Sequence, residues 1–338
     1  MVDFAAVKAA IDQAEQILLI THVAPDGDAV GSISAAGLVL RQLNKQVTLM
    51  CDDPAPPRFN YLALVDRLQS KHAHNARYDL IIALDCGDVE RMGKVYQTVP
   101  TPNLPLINID HHITNTQFGT INIVDSEANA TAEILFDLLP TLEVSLTPEL
   151  ATGLLTGLVT DTLGFRTNGV SAHTLTAAGK LIESGANLSL VTTQGLILKP
   201  LSTLLLWQKG LNNMRLDNGL IWTTVSNKER QEIGHLAPSS SGLVNILSEV
   251  QQVAMSAVLI EMENGTVSVG FRCRPPFKVS ELAMNLGGGG HDLAAGCTLE
   301  GPLEKAESLV VALAKESIQQ QRSHLKDDGY QPNFSWDE

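Results

Sequence analysis

Aromatic residues, cysteines and long apolar runs are all scarce in this sequence. Phe, Trp and Tyr make up 4% of the 338 residues, which disfavours a surface on which many successive bases stack. The four cysteines form no Cys-x-x-Cys pair, so a disulfide framework or a structural zinc site is not expected. No apolar run approaches the roughly 18 residues that a membrane span needs. We therefore expect neither a membrane protein nor a protein that coats long single strands.

Basic residues are also outnumbered by acidic ones. The chain has 23 Lys and Arg against 37 Asp and Glu, a formal net charge of -14 at pH 7. Because nucleic-acid affinity depends on neutralising phosphates, such a chain is not expected to bind long nucleic acid through a broad basic face. Any nucleic-acid ligand should be short, or held by a local site. The N-terminal Met-Val-Asp-Phe lacks the basic and apolar regions of a signal peptide, so we expect a soluble cytoplasmic protein.

Short apolar runs separated by helical segments occupy the first half of the chain. Strands are expected at 16–21, 47–51, 79–84 and 104–109. Helices are expected near 29–43, 131–139, 147–160 and 171–184. This alternation is typical of βαβ units around a mostly parallel sheet. The predicted fold class is therefore α/β, with a parallel sheet and flanking helices in this region.

The second half of the chain has a different pattern. Strands are expected at 220–225, 253–261 and 266–272, and helices near 226–233, 241–249 and 303–321. Between the halves, a helical stretch at 188–215 should break at Pro200, because proline disrupts a helix interior. We predict a first domain at 1–188, a helical linker at 189–205, a smaller α/β domain at 206–325 and a polar tail at 326–338.

Three of the expected strands end in side chains that bind metal ions. The sets are His22, Asp26 and Asp28 after the first strand, Asp85 and Asp88 after the third, and Asp110, His111 and His112 after the fourth. In parallel α/β sheets these carboxyl ends meet at the edge where ligands bind. One such end alone is equally well explained as a strand cap with histidines on the surface. Three ends, together with Asp161 after the helix at 147–160, predict a metal site.

The chemistry of this set favours two divalent cations. Without cations, four of these carboxylates would repel one another strongly, namely those of Asp26, Asp28, Asp85 and Asp161. Two divalent ions carry four positive charges, so the resulting site is nearly neutral and can accept an anionic substrate such as a phosphate. Mixed carboxylate and imidazole ligands suit Mn²⁺, with Fe²⁺, Co²⁺ and Zn²⁺ as alternatives, whereas Mg²⁺ prefers an all-oxygen set.

The second half of the chain adds a basic and glycine-rich motif. Arg272 and Arg274 flank Cys273, and the glycines at 287–290 are followed by His291. Arginine can grip a phosphate through two parallel hydrogen bonds, and glycines let backbone N–H groups approach a phosphate closely. A flexible loop explains the glycine run alone equally well. The combination favours a phosphate or nucleotide site.

These motifs, as an ordered set, resemble the DHH phosphoesterase superfamily and its DHHA1 companion domain. The similarity covers about residues 5–320 and rests on His22-x-x-x-Asp26-x-Asp28, Asp85-x-x-Asp88, Asp110-His111-His112, Thr160-Asp161-Thr162 and the run from Gly287 to His291. The resemblance implies a metal-dependent hydrolase whose active site lies in the cleft between a DHH and a DHHA1 domain.

The resemblance also implies a role for each motif residue. One ion would be held by His22 and Asp26, the other by Asp28, His111 and Asp161, and Asp85 would bridge both. The catalytic residues would be Asp85 and His112, and His112 would lie beside the substrate phosphate or a bound water. Asp88 and Asp110 would orient the metal ligands. The substrate would be bound by Arg272, Arg274, Gly288, Gly289, Gly290 and His291.

Size and domain content make the chain similar to the NrnA-type oligoribonucleases of this superfamily. The expected function is manganese-dependent hydrolysis of short oligoribonucleotides, and of 3′-phosphoadenosine 5′-phosphate, by attack of a metal-bridging hydroxide on phosphorus. A phosphodiesterase acting on cyclic-di-AMP or linear dinucleotides is the alternative, and an inactive nucleotide sensor is a third hypothesis. A homodimer is a further possibility. Three residues depart from the superfamily pattern. Leu163 replaces a common glycine, Cys273 stands where serine is usual, and Asp292, which could repel a terminal phosphate, stands where a basic or neutral residue is commoner.

Overall fold

A computed structural model describes residues 4–101, 103–235 and 240–327. The chain divides into two compact units, Met1–Leu198 and Lys199–Glu338, each with its own sheet and core. The finer domain boundaries predicted at 188, 205 and 325 stay predictions. The last helix includes residues 326 and 327, and the rest of the predicted tail, 328–338, lies outside the described residues.

The first unit is built on a parallel five-stranded sheet. Its strands are β1 (Gln16–Thr21), β2 (Gln46–Met50), β3 (Leu80–Leu84), β4 (Leu106–Asp110) and β5 (Ile121–Val124), in the spatial order β2-β1-β3-β4-β5. Every neighbouring pair is parallel, which confirms the predicted fold class. The central strands β1, β3 and β4 are almost entirely buried, as parallel strands covered on both faces should be.

Helices cover both faces of this sheet. They are α1 (Ala5–Gln13), α2 (Gly27–Gln42), α3 (Gly93–Gln97), α4 (Thr131–Leu142), α5 (Pro148–Asp161), α6 (Ala172–Glu183) and α7 (Leu188–Thr192). Ile17 and Leu19 of β1 share a core with α1, α2, α4, α5 and α6, whereas Leu18 and Ile20 face the core that contains Val95 of α3. This split follows from the alternation of side chains along a strand.

Helices α2 and α5 lie backbone to backbone. A Cβ on Gly31 would be 2.5 Å from Gly153 O, so a larger residue could not occupy this crossing. A Cβ on Gly27 would be 2.5 Å from Thr160 Cγ2, which shows that the start of α2 adjoins the end of α5. The fold thereby brings the residues after β1 close to the residues at the end of α5.

The helical stretch predicted at 188–215 is interrupted, as expected, at Pro200. A π-helical turn, Thr193–Ile197, continues α7, and α8 (Leu201–Asn212) begins directly after the proline. Across the described parts of the chain, a single helix long and apolar enough to span a membrane is absent. The pair Leu188–Ile197 and Leu201–Asn212, bent by 47°, meets the length and composition criteria when its members are taken together.

The second unit contains a mixed six-stranded sheet. Its strands are β6 (Arg215–Asp217), β7 (Leu220–Val225), β8 (Met255–Glu261), β9 (Thr266–Cys273), β10 (Gly289–His291) and β11 (Ala294–Glu300), in the order β10-β11-β9-β8-β7-β6. Only β7 and β8 pair in parallel. With α8, its helices are α9 (Asn227–Glu232), α10 (Leu243–Ser248), α11 (Ser280–Asn285) and α12 (Leu303–Asp327). The glycine run, expected as a loop, therefore ends as an edge strand paired with β11.

Candidate metal centre

The acidic and imidazole side chains predicted from the strand ends gather in the first unit. His22 directly follows β1, Asp26 and Asp28 lie at the start of α2, and Asp85 directly follows β3. Two positions differ slightly from the expectation, since Asp110 is the last residue of β4 and Asp161 is the last residue of α5. Among the described residues, three groups have ligand atoms within 4.8 Å of one another: His22, Asp26 and Asp85; Asp28, His111 and Asp161; Asp85, His111 and His112.

Asp85 lies at the centre of the cluster. Its side chain is 2% exposed, and its backbone is left-handed with φ of 62°, an uncommon conformation that often occurs at functional sites. Its Oδ2 lies 3.5 Å from His22 Nε2, whereas its Oδ1 lies 3.7 Å from both His111 Nε2 and His112 Nδ1. The two oxygens thus face different imidazoles, which is the arrangement that a carboxylate spanning two ions requires.

Asp28 is fully buried and is held by a second helix. Its Oδ2 accepts a hydrogen bond from Thr131 N at 2.6 Å, and its Oδ1 accepts from Ala132 N at 3.1 Å and Ser32 Oγ at 3.0 Å. The two amides are the first of α4, so Asp28 satisfies donors that would otherwise lack an intrahelical partner. These contacts leave a lone pair on Oδ2, so the carboxylate can bind a cation through that oxygen. Sequence reasoning missed Thr131 and Ser32.

A second network orients His112. Asp110, which is fully buried, accepts a hydrogen bond from His112 Nδ1 at 2.7 Å and another from Asn115 Nδ2. Asn115 is itself fixed, because its Oδ1 accepts from Asn108 Nδ2 and its Nδ2 donates to Cys86 O. Although burial opposes it, the hydrogen bond from His112 helps to hold the pKa of Asp110 below its usual value. Asp110 therefore lies beside His112, and its predicted role in orienting metal ligands stays a prediction; Asn115 was not predicted.

Asp88 belongs to none of these three ligand groups among the described residues. It is partly exposed, and its Oδ1 accepts a hydrogen bond from Arg91 N at 2.9 Å. Arg91 in turn places Nη2 at 3.0 Å from His22 Nδ1, and its carbonyl accepts from Val23 N at 2.9 Å. Asp88 can therefore influence His22 through the loop that carries Arg91.

The cluster raises the pKa values of two of its carboxylates, as like-charge repulsion predicts. Asp26 differs, because its interaction with His22 and with backbone amides outweighs burial and lowers its pKa to about 2. Burial, together with Asp85 and Asp161, raises the pKa of Asp28 well above its usual value. Burial and the nearby carboxylates of Asp26 and Asp85 raise the pKa of Asp161 to about 8. Despite an opposing effect of burial, interaction with Asp26 and Asp85 raises the pKa of His22 to about 10. The set thus attracts positive charge, as the donor set of a divalent-cation site should.

The substrate residues predicted in the second unit fall into two classes. Arg272 is half-buried on β9 in register with Ala294, which pairs in turn with His291 of β10. These pairings place Arg272 and His291 on the same end of the sheet. Arg274 is engaged otherwise, since its Nη2 donates to the carbonyls of Val250, Gln251 and Val253.

The glycines of the run before His291 differ in whether the structure leaves room for a side chain. A Cβ on Gly288 would lie 2.5 Å from Cys297 Cβ, and one on Gly290, whose φ is 139°, would lie 2.6 Å from Ala294 O. A Cβ on Gly289 would meet nothing within 4 Å. Asp292 next to the run is paired with Lys278 Nζ at 2.8 Å and accepts from Ser280 Oγ, so its charge is largely matched.

A parallel α/β sheet with this cluster at its carboxyl edge, in a chain with a mixed-sheet second unit, defines a phosphate-ester hydrolase of the DHH class. The family model described as "DHH family, N-terminal domain" matches residues 16–158, and that described as "DHHA1 domain" matches residues 226–320. The chain belongs to the DHH/DHHA1 phosphoesterase superfamily, as its motifs predicted.

Particular relatives within the superfamily are similar over most of their length. The chain is 33% identical over 304 residues to the bifunctional oligoribonuclease and PAP phosphatase NrnA of Thermus thermophilus, covering 89% of this chain and 90% of that relative. It is 27% identical over 302 residues to the protein of the same name from Bacillus subtilis, covering 84% and 90%. An exopolyphosphatase-related protein from Bacteroides fragilis has the same fold, with a TM-score of 0.86, 23% identity and coverage of 96% and 97%.

Proposed function

We propose that this protein hydrolyses short oligoribonucleotides to mononucleotides, and 3′-phosphoadenosine 5′-phosphate to AMP, with two Mn²⁺ ions. The observation that carries the proposal is the division of the cluster into two ligand groups on either side of Asp85. The substrate class is supported by the Thermus thermophilus and Bacillus subtilis relatives, which are bifunctional oligoribonucleases and PAP phosphatases.

The residues of the cluster fit two cations of this kind. His22 and Asp26 would hold one ion and the group of Asp28, His111 and Asp161 the other, with one oxygen of Asp85 toward each. Three donors for the first ion and four for the second, with imidazole and carboxylate in each set, suit Mn²⁺ better than Mg²⁺. When bound, the ions would supply a hydroxide nucleophile at neutral pH and offset the charge that develops on the phosphoryl oxygens.

His112 is the candidate general acid. Its Nδ1 is occupied by Asp110 at 2.7 Å, which leaves Nε2 as the nitrogen that can give a proton to the leaving oxygen. In the metal-free protein the hydrogen bond from His112 to Asp110, which outweighs burial, raises the pKa of His112 to about 9. Asp110 therefore holds the imidazole in place and favours its protonated form, and both effects assist general acid catalysis.

The nucleotide is proposed to contact the edge of the sheet in the second unit. Arg272 would bind a phosphate, and Gly289 and His291 would meet the ligand along β10. The ion pair of Asp292 with Lys278 would reduce the repulsion of a terminal phosphate that the sequence suggested. The three hydrogen bonds of Arg274 to backbone carbonyls support a mainly structural contribution for that residue.

The proposed partner is a short RNA and not a long nucleic acid, in keeping with the net charge of -14. A cytoplasmic location and a homodimer stay predictions. Cyclic-di-AMP is tested as an alternative substrate in the experiment below, since its hydrolysis would use the same ions and the same acid.

The test is hydrolysis of a labelled RNA dinucleotide with added Mn²⁺, assayed beside 3′-phosphoadenosine 5′-phosphate, cyclic-di-AMP and pyrophosphate. We expect rapid conversion of the dinucleotide to mononucleotides. Asp85→Asn should abolish it, because asparagine tolerates the left-handed backbone but cannot bridge two cations. Asp137→Asn is the matched control, since Asp137 also faces an imidazole, His173 Nε2 at 3.0 Å, outside the cluster.

The outcomes separate the parts of the proposal. A wild-type protein that binds Mn²⁺ but hydrolyses none of the four compounds would refute the substrate class. Preference for cyclic-di-AMP would replace the short-RNA assignment with the alternative. Full activity of Asp85→Asn at saturating Mn²⁺ would refute the bridging assignment and leave the substrate class intact.

A further inference from the structure

The start of α4 is built on side chains from other elements. Its N-cap residue, Ala130, has no side chain that can cap the helix. The first two amides, those of Thr131 and Ala132, donate instead to Asp28, which is 103 and 104 positions away in the sequence. The N-terminus of α4 therefore lies directly against Asp28, a predicted metal ligand.

Thr131 makes a second contact with the cluster through its side chain. Its Oγ1 donates a hydrogen bond to Asp85 Oδ1 at 3.0 Å, while its N–H donates to Asp28 Oδ2 at 2.6 Å. Thr131 and Asp28 are fully buried, and Asp85 is 2% exposed. Thr131 thus holds two carboxylates in place: that of Asp28, a proposed ligand of one ion, and that of Asp85, proposed to bind both ions.

The hydroxyl contact acts on the oxygen that matters for the bridge. Asp85 Oδ1 faces His111 and Oδ2 faces His22, so rotation of the carboxylate would misalign both oxygens at once. The terminal torsion of aspartate is broad and weakly restrained by itself. A buried hydroxyl that donates to Oδ1 restrains the carboxylate plane and leaves a lone pair on each oxygen for a cation.

We propose that Thr131 is a positioning residue that sets the orientation of Asp85 and thereby the affinity for both ions. The inference rests on the proposed function, because it assumes that Asp85 spans two cations. Hydrogen-bonding partners of metal ligands typically change metal affinity by about 10- to 100-fold when they are removed. The hydrogen bond from Thr131 N–H to Asp28 is made by the backbone, so a variant of similar shape should keep it. Such a variant tests the hydroxyl contact to Asp85 alone.

The experiment is a Mn²⁺ titration of the full chain, followed by the electron paramagnetic resonance signal of free Mn²⁺. Thr131→Val keeps the shape and the N–H but removes the hydroxyl, and should weaken Mn²⁺ binding by about 10- to 100-fold. Thr131→Ser keeps the hydroxyl and should retain most of the wild-type affinity. Thr223→Val is the control, because it removes an equally buried hydroxyl, which donates to Gly210 O in the second unit.

Each result supports or overturns the proposal. Wild-type Mn²⁺ affinity in a folded Thr131→Val protein would overturn it, and so would an equal loss of affinity in Thr131→Ser, since the methyl group would then carry the effect. If Thr131→Val fails to fold, the comparison of Thr131→Ser with Thr131→Ala gives the same decision. Failure of the wild-type chain to bind Mn²⁺ would instead refute the proposed function.

Discussion

Two adjacent glycines of the second unit should separate folding from substrate binding. In Gly288→Ala the new Cβ would lie 2.5 Å from Cys297 Cβ and 2.7 Å from Cys297 Cα, so the segment before β10 must move away from β11. Overpacking of this kind costs about 1–3 kcal/mol, and the upper end applies because a backbone atom is involved. In Gly289→Ala the new methyl group meets nothing within 4 Å, and alanine in a strand is favoured over glycine by about 0.5–1 kcal/mol.

Thermal unfolding and dinucleotide kinetics together test this pair. We expect Gly288→Ala to lower the free energy of unfolding by about 3 kcal/mol. We expect Gly289→Ala to be more stable than the wild type by about 0.5–1 kcal/mol. It should nevertheless raise KM about tenfold, a loss of about 1.4 kcal/mol of binding, because its methyl group would occupy the space proposed for the nucleotide. Unchanged KM in Gly289→Ala would refute the contact between β10 and the substrate. Wild-type stability of Gly288→Ala would refute the close strand packing.

Three further substitutions have defined outcomes. Asp110→Asn should lower kcat for the dinucleotide by about 10- to 100-fold at nearly constant KM, since His112 loses its charged partner; an unchanged kcat would contradict the acid assignment. Leu163→Gly should raise the thermal unfolding midpoint, because Leu163 has φ of 50° and is 46% exposed, and the left-handed conformation costs a residue with a Cβ about 1–2 kcal/mol; a lower midpoint would show that its side chain stabilises the turn. Arg274→Met should destabilise the protein by about 0.5–1.5 kcal/mol, because its hydrogen bonds to the carbonyls of Val250, Gln251 and Val253 are lost, and should leave KM unchanged; a raised KM with wild-type stability would restore Arg274 as a substrate residue.

The first sheet was predictable because its strands are apolar runs of the expected length. β1 and β7 have the predicted bounds, and β2, β3 and β4 shift by one or two residues. β5, β6, β10 and β11 were not predicted. β5 is a short, half-exposed edge strand, and β10 and β11 consist largely of glycine, alanine and polar residues whose extended form depends on pairing with β9. Local sequence does not encode pairing of that kind.

The candidate site was predictable to the extent that it lies at the ends of strands. His22, Asp85 and His111 come together because parallel strands present their carboxyl ends at one edge. Thr131 and Asn115 were missed because their partners depend on tertiary contacts and not on a motif. Thr131 meets Asp28 and Asp85 only once α4 packs against α2, and the sequence offered no signal beyond an uncapped helix start.

The carboxylates of Asp26 and Asp28 accept hydrogen bonds at the N-termini of two different helices. Asp26 accepts hydrogen bonds from the first amides of its own helix, α2, and Asp28 accepts those of α4. Two helix N-termini, each carrying partial positive charge, therefore hold these side chains in place before any cation arrives. Uptake and release of the ions should then leave the backbone of the first unit folded, in contrast to small zinc domains that unfold when the metal is removed. Such a site can exchange its metal with the surroundings at a rate set by ligand dissociation and not by refolding.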